Sequence, residues 1–164
     1  MLVTTKDSLE TPLHLACYHN NSGFAAALLD DQNMCAYLNT ADKYGDTPLF
    51  NACRVGNIKV VKRLIAKSDN IRTFVNKITK ETPAHVACRM KRLDILRALV
   101  CEGIDSSVKY DQLNYLEKSL LHVACDIDAE DIVNYLIDNE VCKKNNMDHN
   151  WTYSIAYCLH AWKH

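Results

Sequence analysis

The sequence predicts an all-α fold, a solenoid of stacked antiparallel helix pairs with projecting turns. Three observations carry this prediction: a short segment that recurs through the chain, apolar residues at helical spacing, and a scarcity of turn formers. Only 4 of the 164 residues are glycine and 3 are proline, which leaves few of the tight turns that an all-β fold requires. The hydrophobic fraction of 48% is sufficient for a folded core and argues against intrinsic disorder.

Charge and hydropathy exclude several classes of function. The 19 basic and 20 acidic residues give a net charge of −1, which argues against a general nucleic-acid binder. No apolar run approaches the roughly 18 residues of a membrane span, and residues 1–7 lack the apolar core of a signal peptide. We therefore expect an intracellular protein, in the cytoplasm or the nucleus, with no nucleic-acid and no membrane partner. The basic residues Lys59, Lys62, Arg63 and Lys67 are expected on a solvated outer helix face.

One eight-residue segment occurs four times, and a weaker fifth copy follows. Each copy has a hydroxyl residue at its second position and a cysteine six residues later. The hydroxyl residues, at positions 11, 47, 82, 119 and 152, are 36, 35, 37 and 33 residues apart. Such a period is typical of repeat architectures, in which neighbouring units bury each other's apolar faces. The copies are residues 10–17, 46–53, 81–88, 118–125 and 151–158.

Each unit has the features of two consecutive helices. Thr or Ser at the second position is a favoured N-cap, and proline follows it in three copies, where its missing N–H costs nothing. Apolar residues then recur at helical spacing, and a second apolar stripe follows a polar or glycine break. The breaks are at Asn20 and Asn21, Gly56 and Asn57, Lys91 and Arg92, and Asp128. The second stripes, which we expect to face the core, are Phe24, Leu28 and Leu29; Ile58, Val61, Leu64 and Ile65; Leu93, Leu96, Leu99 and Val100; and Ile132, Val133, Leu136 and Ile137.

The repeated segment, seen in Thr11-Pro12-Leu13-His14-Leu15-Ala16, resembles the ankyrin repeat, whose signature is Thr-Pro-Leu-His-x-Ala with a period near 33 residues. The resemblance covers essentially the whole chain. It implies a single domain of units spanning about 6–41, 42–76, 77–113 and 114–146, with a partial unit at 147–164. It also implies a curved right-handed solenoid in which the repeat histidine ties neighbouring turns by hydrogen bonds and the cysteine position takes small apolar residues.

The chain departs from the family pattern mainly in its turns. The family's turn glycine is present only as Gly45, and the equivalent positions hold Leu9, Lys80, Glu117 and Asn150. Asn tolerates a left-handed φ, whereas Leu, Lys and Glu do so poorly, so we expect these turns to be rearranged or strained. Because neither end has a polar cap, we expect the chain to be a piece of a longer array.

The histidines and cysteines form a recurring His-x-x-Cys pair. That spacing places both side chains on one side of a helix, where they could supply half a zinc site or mimic a Cys–His dyad. We favour a structural role, because a metal or catalytic site needs one convergent cluster, and because Phe50 replaces the histidine in the second unit. Catalytic sequence motifs are absent, so we expect no enzyme activity, no cofactor and no metal. The pairs are His14 and Cys17, His85 and Cys88, and His122 and Cys125; a reactive thiol or metal site at Cys35, Cys101 and Cys142 is the alternative.

Positions that change type between units are candidates for recognition, because positions that keep their type hold the stack. They are the turn residues, the residue before each N-cap and the two residues after each cysteine. In the ankyrin family these positions line a concave groove of turn tips and first helices, and here they are rich in Tyr and Arg. The predicted partner-binding residues are Tyr18, His19, Lys43, Tyr44, Asp46, Arg54, Ile78, Glu81, Arg89, Met90, Tyr115, Lys118, Asp126 and Trp151. For Leu116 and Ile127, packing against the next unit is the alternative.

The resemblance implies a monomeric, non-catalytic module that binds one or more partner proteins through that groove. Two alternatives remain open. One is an inhibitor of a Rel/NF-κB-type transcription factor, although the chain has no acidic tail. The other is a substrate-recruiting segment of a larger multidomain protein.

Overall fold

The computed structural model describes residues 4–5, 7–100 and 112–139, without the side chains of residues 34–36 and 69. Within these ranges the regular secondary structure is entirely helical, as the sequence predicts. The α-helices are α1 (Pro12–Tyr18), α2 (Ser22–Asp30), α3 (Pro48–Val55), α4 (Ile58–Lys67), α5 (Pro83–Arg89), α6 (Leu93–Val100), α7 (Leu120–Asp126) and α8 (Glu130–Asp138). Two 3-10 helices, Gln32–Tyr37 and Asp69–Thr73, follow α2 and α4.

The helices stack in two layers. The first helices of the units, α1, α3, α5 and α7, pack in order against one another, and α2, α4 and α6 form the second layer. Each first helix also packs against the second helix of its own unit. The alanines of the first helices, Ala16, Ala52, Ala87 and Ala124, are at most 2% exposed, so small side chains let these helices approach closely. The predicted architecture of stacked helix pairs is confirmed.

Most of the second-helix stripe is buried as predicted, but two positions are not. Phe24 is 48% exposed and Ile137 is 38% exposed. Phe24 lies on α2, which has α1, α4 and the first 3-10 helix as its main neighbours among the described elements. One flank of α2 therefore faces solvent, and the expectation that Phe24 is buried is wrong.

The repeat cysteines occupy one buried position in successive units. Cys17, Cys53 and Cys88 are free thiols with no measurable exposure. Burial raises the pKa of Cys17 to about 12, and it raises the pKa of Cys53 as well, so neither is a nucleophilic thiolate near neutral pH. These three thiols act as small apolar groups, as expected. Cys125 differs from these three, because it is disulfide-bonded.

Candidate protein-binding surface

An Asp or Asn side chain organises the turns that precede the first helices of the second, third and fourth units. The Asp42 carboxylate accepts hydrogen bonds from the backbone N–H groups of Tyr44 (2.8 Å) and Asp46 (3.0 Å). Asn76 and Asn114 do the same in the next two turns, and both are buried. These Asx turns hold the backbone at the tip in a defined conformation.

Hydrogen bonds also connect successive turns. The Lys43 N–H donates to the Ser8 carbonyl (3.0 Å), and the Tyr115 N–H donates to the Thr79 carbonyl (2.9 Å). Between the second and third units, the Asn76 side chain donates to the Tyr44 carbonyl at 2.9 Å. These bonds join the four described turns, one from each unit, into a single hydrogen-bonded edge along the stack.

The turn conformation survives without the family's glycine. Leu9, Lys80 and Glu117 have φ values of +58°, +56° and +58°, in the region that Gly45 occupies at +78°. The expected rearrangement does not occur, whereas the expected strain does. A left-handed residue with a Cβ costs about 1–2 kcal/mol. The hydrogen bonds across the turns and the packing of the helices behind them offset this cost.

In the first, third and fourth units, the repeat histidine joins the turn to the following helix by hydrogen bonds. In the first unit, His14 Nδ1 accepts from the Thr11 N–H at 3.1 Å, and the His14 N–H donates to Thr11 Oγ1 at 3.3 Å. His14 Nε2 lies 3.0 Å from the Asp46 carbonyl of the next turn, the tie that the resemblance implies. This set of partners fits the neutral ring with its proton on Nε2. Burial lowers the pKa of His14, and the same cause lowers the pKa of His122.

The second unit shows what happens without the histidine. Phe50 is fully buried and packs edge-on against Phe74, with ring centroids 6.3 Å apart. The buried Thr47 Oγ1 has no hydrogen-bond partner in the described part of the chain, because the cap that His14 completes at Thr11 is missing. Apolar packing replaces polar capping at this junction.

The predicted binding residues divide into two groups by exposure. The turn residues are the most exposed: Tyr44 and Ile78 at 63% and Tyr115 at 61%. Lys43 is exposed, with its Nζ 5.0 Å from the centre of the Tyr44 ring. The first-helix ends contribute a second row, in which Tyr18, His19, Arg89 and Asp126 are exposed and Arg54 and Met90 are half-buried.

The residues that precede the N-caps do not lie at the surface as free recognition groups. Asp46 and Glu81 are 7% and 8% exposed, and they form ion pairs with Arg54 and Arg89 respectively, the latter at 2.9 Å. Lys118 is half-buried and pairs with Asp126. In each pair the partners are eight residues apart, so the pair joins the turn to the end of its own first helix.

Other residues of this surface were not among the predicted set. Leu9 is 51% exposed and Leu116 is 53% exposed, so Leu116 does not pack in the interior, whereas Ile127 packs against the core. Lys77 and Lys80 are exposed turn residues. Aligning the turns on Asp42, Asn76 and Asn114 would have shown that each turn has a buried Asp or Asn followed by exposed residues at its tip. Trp151, the remaining predicted residue, lies outside the described residues, as do the partial fifth unit and Cys101 and Cys142.

The described residues contain neither a metal-binding cluster nor a membrane-spanning helix. No group of three His, Cys, Asp or Glu side chains among them is placed to hold a metal ion. None of the described helices has both the length and the apolar character that a membrane crossing requires. The His-x-x-Cys pair is used structurally, since the His14 ring bonds to Thr11 and Asp46 while Cys17 is buried among apolar residues.

Comparison with known proteins identifies the family. The model for ankyrin repeats, a unit of three copies, matches residues 2–75, 36–110 and 69–148, which together take in most of the chain. The chain belongs to the ankyrin-repeat family. Ankyrin-repeat domains are typically protein-interaction modules and usually non-catalytic. The eight described helices form the stacked pairs of this fold.

Two relatives illustrate the range of ankyrin-repeat proteins. A 103-residue segment, 63% of this chain, is 30% identical to the E3 ubiquitin-protein ligase KEG of Arabidopsis thaliana, and it spans only 6% of that protein. The crystal structure of the ankyrin repeat domain of Bcl-3, titled a unique member of the IkappaB protein family, superposes with a TM-score of 0.71 at 24% identity. That likeness covers 79% of this chain and 57% of the Bcl-3 chain, and it concerns the fold alone.

Proposed function

We propose that this ankyrin-repeat domain is a non-catalytic module that binds a partner protein through its turn tips and first-helix ends. The observation that carries the proposal is the row of large side chains on consecutive tips, Tyr44, Ile78 and Tyr115, each more than 60% exposed. Side chains of this size are rarely left so exposed in a contiguous row unless something covers them. Tyrosine is also among the residues that contribute most to binding at interfaces.

The surface is preorganised for binding. The tips are held by Asx turns and by bonds between neighbouring turns, and in three units by a histidine cap, so little backbone entropy is lost when a partner binds. The ion pairs beneath the tips restrain Arg54 and Arg89 in the same way. Modest contacts at the tips are then sufficient for useful affinity. The expected setting is an intracellular one, and the module is expected to act as a monomer without a cofactor.

The experiment compares partner capture by a variant that lacks two exposed tip side chains and a control variant that lacks an exposed aromatic ring elsewhere. Proximity labelling in the native cell first identifies partners of the wild-type chain. The double variant Tyr44→Ala/Tyr115→Ala removes two exposed tips, and the control Phe24→Ala removes an exposed aromatic ring from α2, on the second-helix layer. Arg89→Ala is unsuitable, because it would leave the buried Glu81 carboxylate without its partner.

We expect the tip variant to lose the partners that the control retains, with both variants melting cooperatively near the wild-type temperature. Retention of every partner by a folded tip variant would rule out this surface.

A second candidate is that the domain recruits substrate within a larger multidomain protein. The identity with a short part of the E3 ubiquitin-protein ligase KEG favours it. Full-length transcript data would decide between the two, because a reading frame without a further domain would exclude this candidate. The alternative of a Rel-type partner is tested directly by binding of a Rel-type domain, for which the likeness to Bcl-3 is an argument of fold only.

A further inference from the structure

The turns of the second and third units carry an unusual combination of charge and apolar surface. Lys43 and Tyr44 lie on one turn, and Lys77, Ile78 and Lys80 lie on the next. All five side chains are exposed, and we refer to them as the central tip patch. Tyr44 and Ile78 occupy equivalent places, two residues after Asp42 and Asn76, so they are adjacent along the hydrogen-bonded edge.

The carboxylates of these two turns are withdrawn from the surface. Asp42, Asp46 and Glu81 are 8%, 7% and 8% exposed. Asp46 and Glu81 are also neutralised by Arg54 and Arg89. The charges that a partner meets on these two turns are therefore cationic, although the chain as a whole has a net charge of −1.

The flanking turns expose an acidic residue each. Asp7 is exposed on the turn of the first unit, and Glu117 is exposed on the turn of the fourth, where the neighbouring Lys118 is paired with Asp126. The edge thus has a positive centre with an acidic residue on each side. A complementary partner therefore carries acidic groups opposite the central lysines and basic groups opposite Asp7 and Glu117.

The spacing of the patch suits a single segment of a partner. First helices pack side by side at about 8–10 Å, so equivalent residues such as Tyr44 and Ile78 are about that far apart. A distance of about 10 Å corresponds to three residues of polyproline II helix or two turns of α-helix. One short segment can therefore contact both apolar tips, Tyr44 and Ile78, and the lysines that neighbour them in the sequence.

Taking the proposed function as its basis, we infer that the central tip patch binds an acidic segment of the partner protein that carries at least two apolar side chains. The carboxylates of the segment meet Lys43, Lys77 and Lys80, and its apolar side chains cover Tyr44 and Ile78. A protein segment fits better than a nucleic acid, because three lysines are a small footprint for a phosphate backbone.

The test uses selection from a random peptide library displayed on phage, with the full chain as bait at low salt. Recovered peptides are synthesised with a fluorescent label, and their Kd is measured by anisotropy. The lysine-reversal variant, Lys43→Glu/Lys77→Glu/Lys80→Glu, reverses the charge of the patch. The matched variant Lys59→Glu/Lys62→Glu/Lys67→Glu makes the same change in net charge at three exposed residues of α4. A labelled single-stranded oligonucleotide is a parallel probe.

We expect the recovered peptides to be net acidic with two or more apolar residues. The lysine-reversal variant should raise the Kd of these peptides about tenfold or more. The α4 variant should change the Kd by less than about twofold, because only the tip charges contact the peptide. Raising the salt concentration should narrow the difference between the variants. Circular dichroism of both variants confirms that the helices are intact.

Several results would overturn the inference. They are recovery of neutral or basic peptides, recovery of none, equal weakening by both variants, or binding of the oligonucleotide to the patch without binding of acidic peptides. The proposed function is judged separately. Neutral peptides lost on Tyr44→Ala/Tyr115→Ala would leave the binding surface valid but refute its preference for acidic segments. Peptides whose Kd changes with neither the double variant nor the lysine reversals would refute both the inference and the proposed function.

Discussion

Replacement of His85 by glutamine is expected to remove much of the acid sensitivity of this domain. His85 is 1% exposed, and its Nδ1 accepts from the Thr82 N–H at 3.3 Å. Burial lowers the pKa of His85 to about 4 from an ordinary value of 6.5. Glutamine at this third helical position can still form a capping box with Thr82, but it does not titrate.

The magnitude follows from linkage. In the unfolded chain His85 takes up a proton below pH 6.5, whereas in the native state it stays neutral down to about pH 4. The unfolded state therefore binds more protons over this window, so the stability that neutral His85 provides is present above pH 6.5 and is lost as the pH falls. With these two pKa values, His85 lowers the free energy of unfolding by about 2 kcal/mol between pH 7 and pH 5.

Urea unfolding of both proteins at several pH values between 7 and 5 measures this effect. At pH 7 the variant should be less stable by about 1 kcal/mol, because glutamine is a poorer fit to the histidine site. At pH 5 the order should reverse, by about 1 kcal/mol. Carboxylates, His14 and His122 titrate in both proteins and largely cancel in the difference. A stability difference that stays constant across this pH range would refute the assignment of a buried neutral histidine.

Four further substitutions test the turns and the core. Lys80→Gly should stabilise the domain by about 0.5–1 kcal/mol, since it relieves about 1–2 kcal/mol of left-handed strain and adds a smaller entropy cost; a lower urea midpoint would contradict this. Gly45→Ala should destabilise the domain by about 2 kcal/mol or more, because φ at this position is +78° and the new Cβ would lie 2.8 Å from Asn76 Oδ1. An unchanged melting temperature would contradict this and show that the turn can relax. Phe50→Ala should cost about 3–5 kcal/mol in denaturant unfolding, whereas Phe24→Ala should cost below about 1 kcal/mol, and similar losses for the two would refute the assigned burial.

The helices could be predicted from the sequence because the signals that define them are local. Thr11 and Pro12 specify a helix start through capping and φ, whatever packs against them. The recurrence of that signal in four places then defined the register of the stack, since each unit has to bury the same face. The structure confirms these starts at Pro12, Pro48, Pro83 and Leu120.

Features that depend on neighbouring units could be predicted less well. The propensity of Lys80 argues against a left-handed φ, but the residue adopts one in a turn that is closed by the Lys80 N–H donating to the Asn76 carbonyl and the Asn76 N–H donating to the Glu81 carbonyl. Phe24 has the spacing of a core residue, and its exposure follows only from which helices pack beside α2. The candidate site shows the same limit, because a residue's type does not reveal whether it is exposed, like Tyr44, or buried in an ion pair, like Asp46.

The ion pairs explain why positions that vary between units are not independent of one another. Asp46 pairs with Arg54 and Glu81 with Arg89, whereas in the fourth unit the signs are exchanged, with Lys118 on the turn and Asp126 on the helix. Three of the units therefore have complementary charges across these eight residues, with no fixed sign at either end, whereas the first unit has Glu10 and Tyr18 at the equivalent positions. A change at one position without the other would leave a charge unpaired, and the cost would be largest where the turn residue is buried. Variation at the tips is free of this coupling, because the tip side chains face solvent. Recognition can thus diversify at the tips, while a change of charge in one member of an ion pair beneath them favours a matching change in the other.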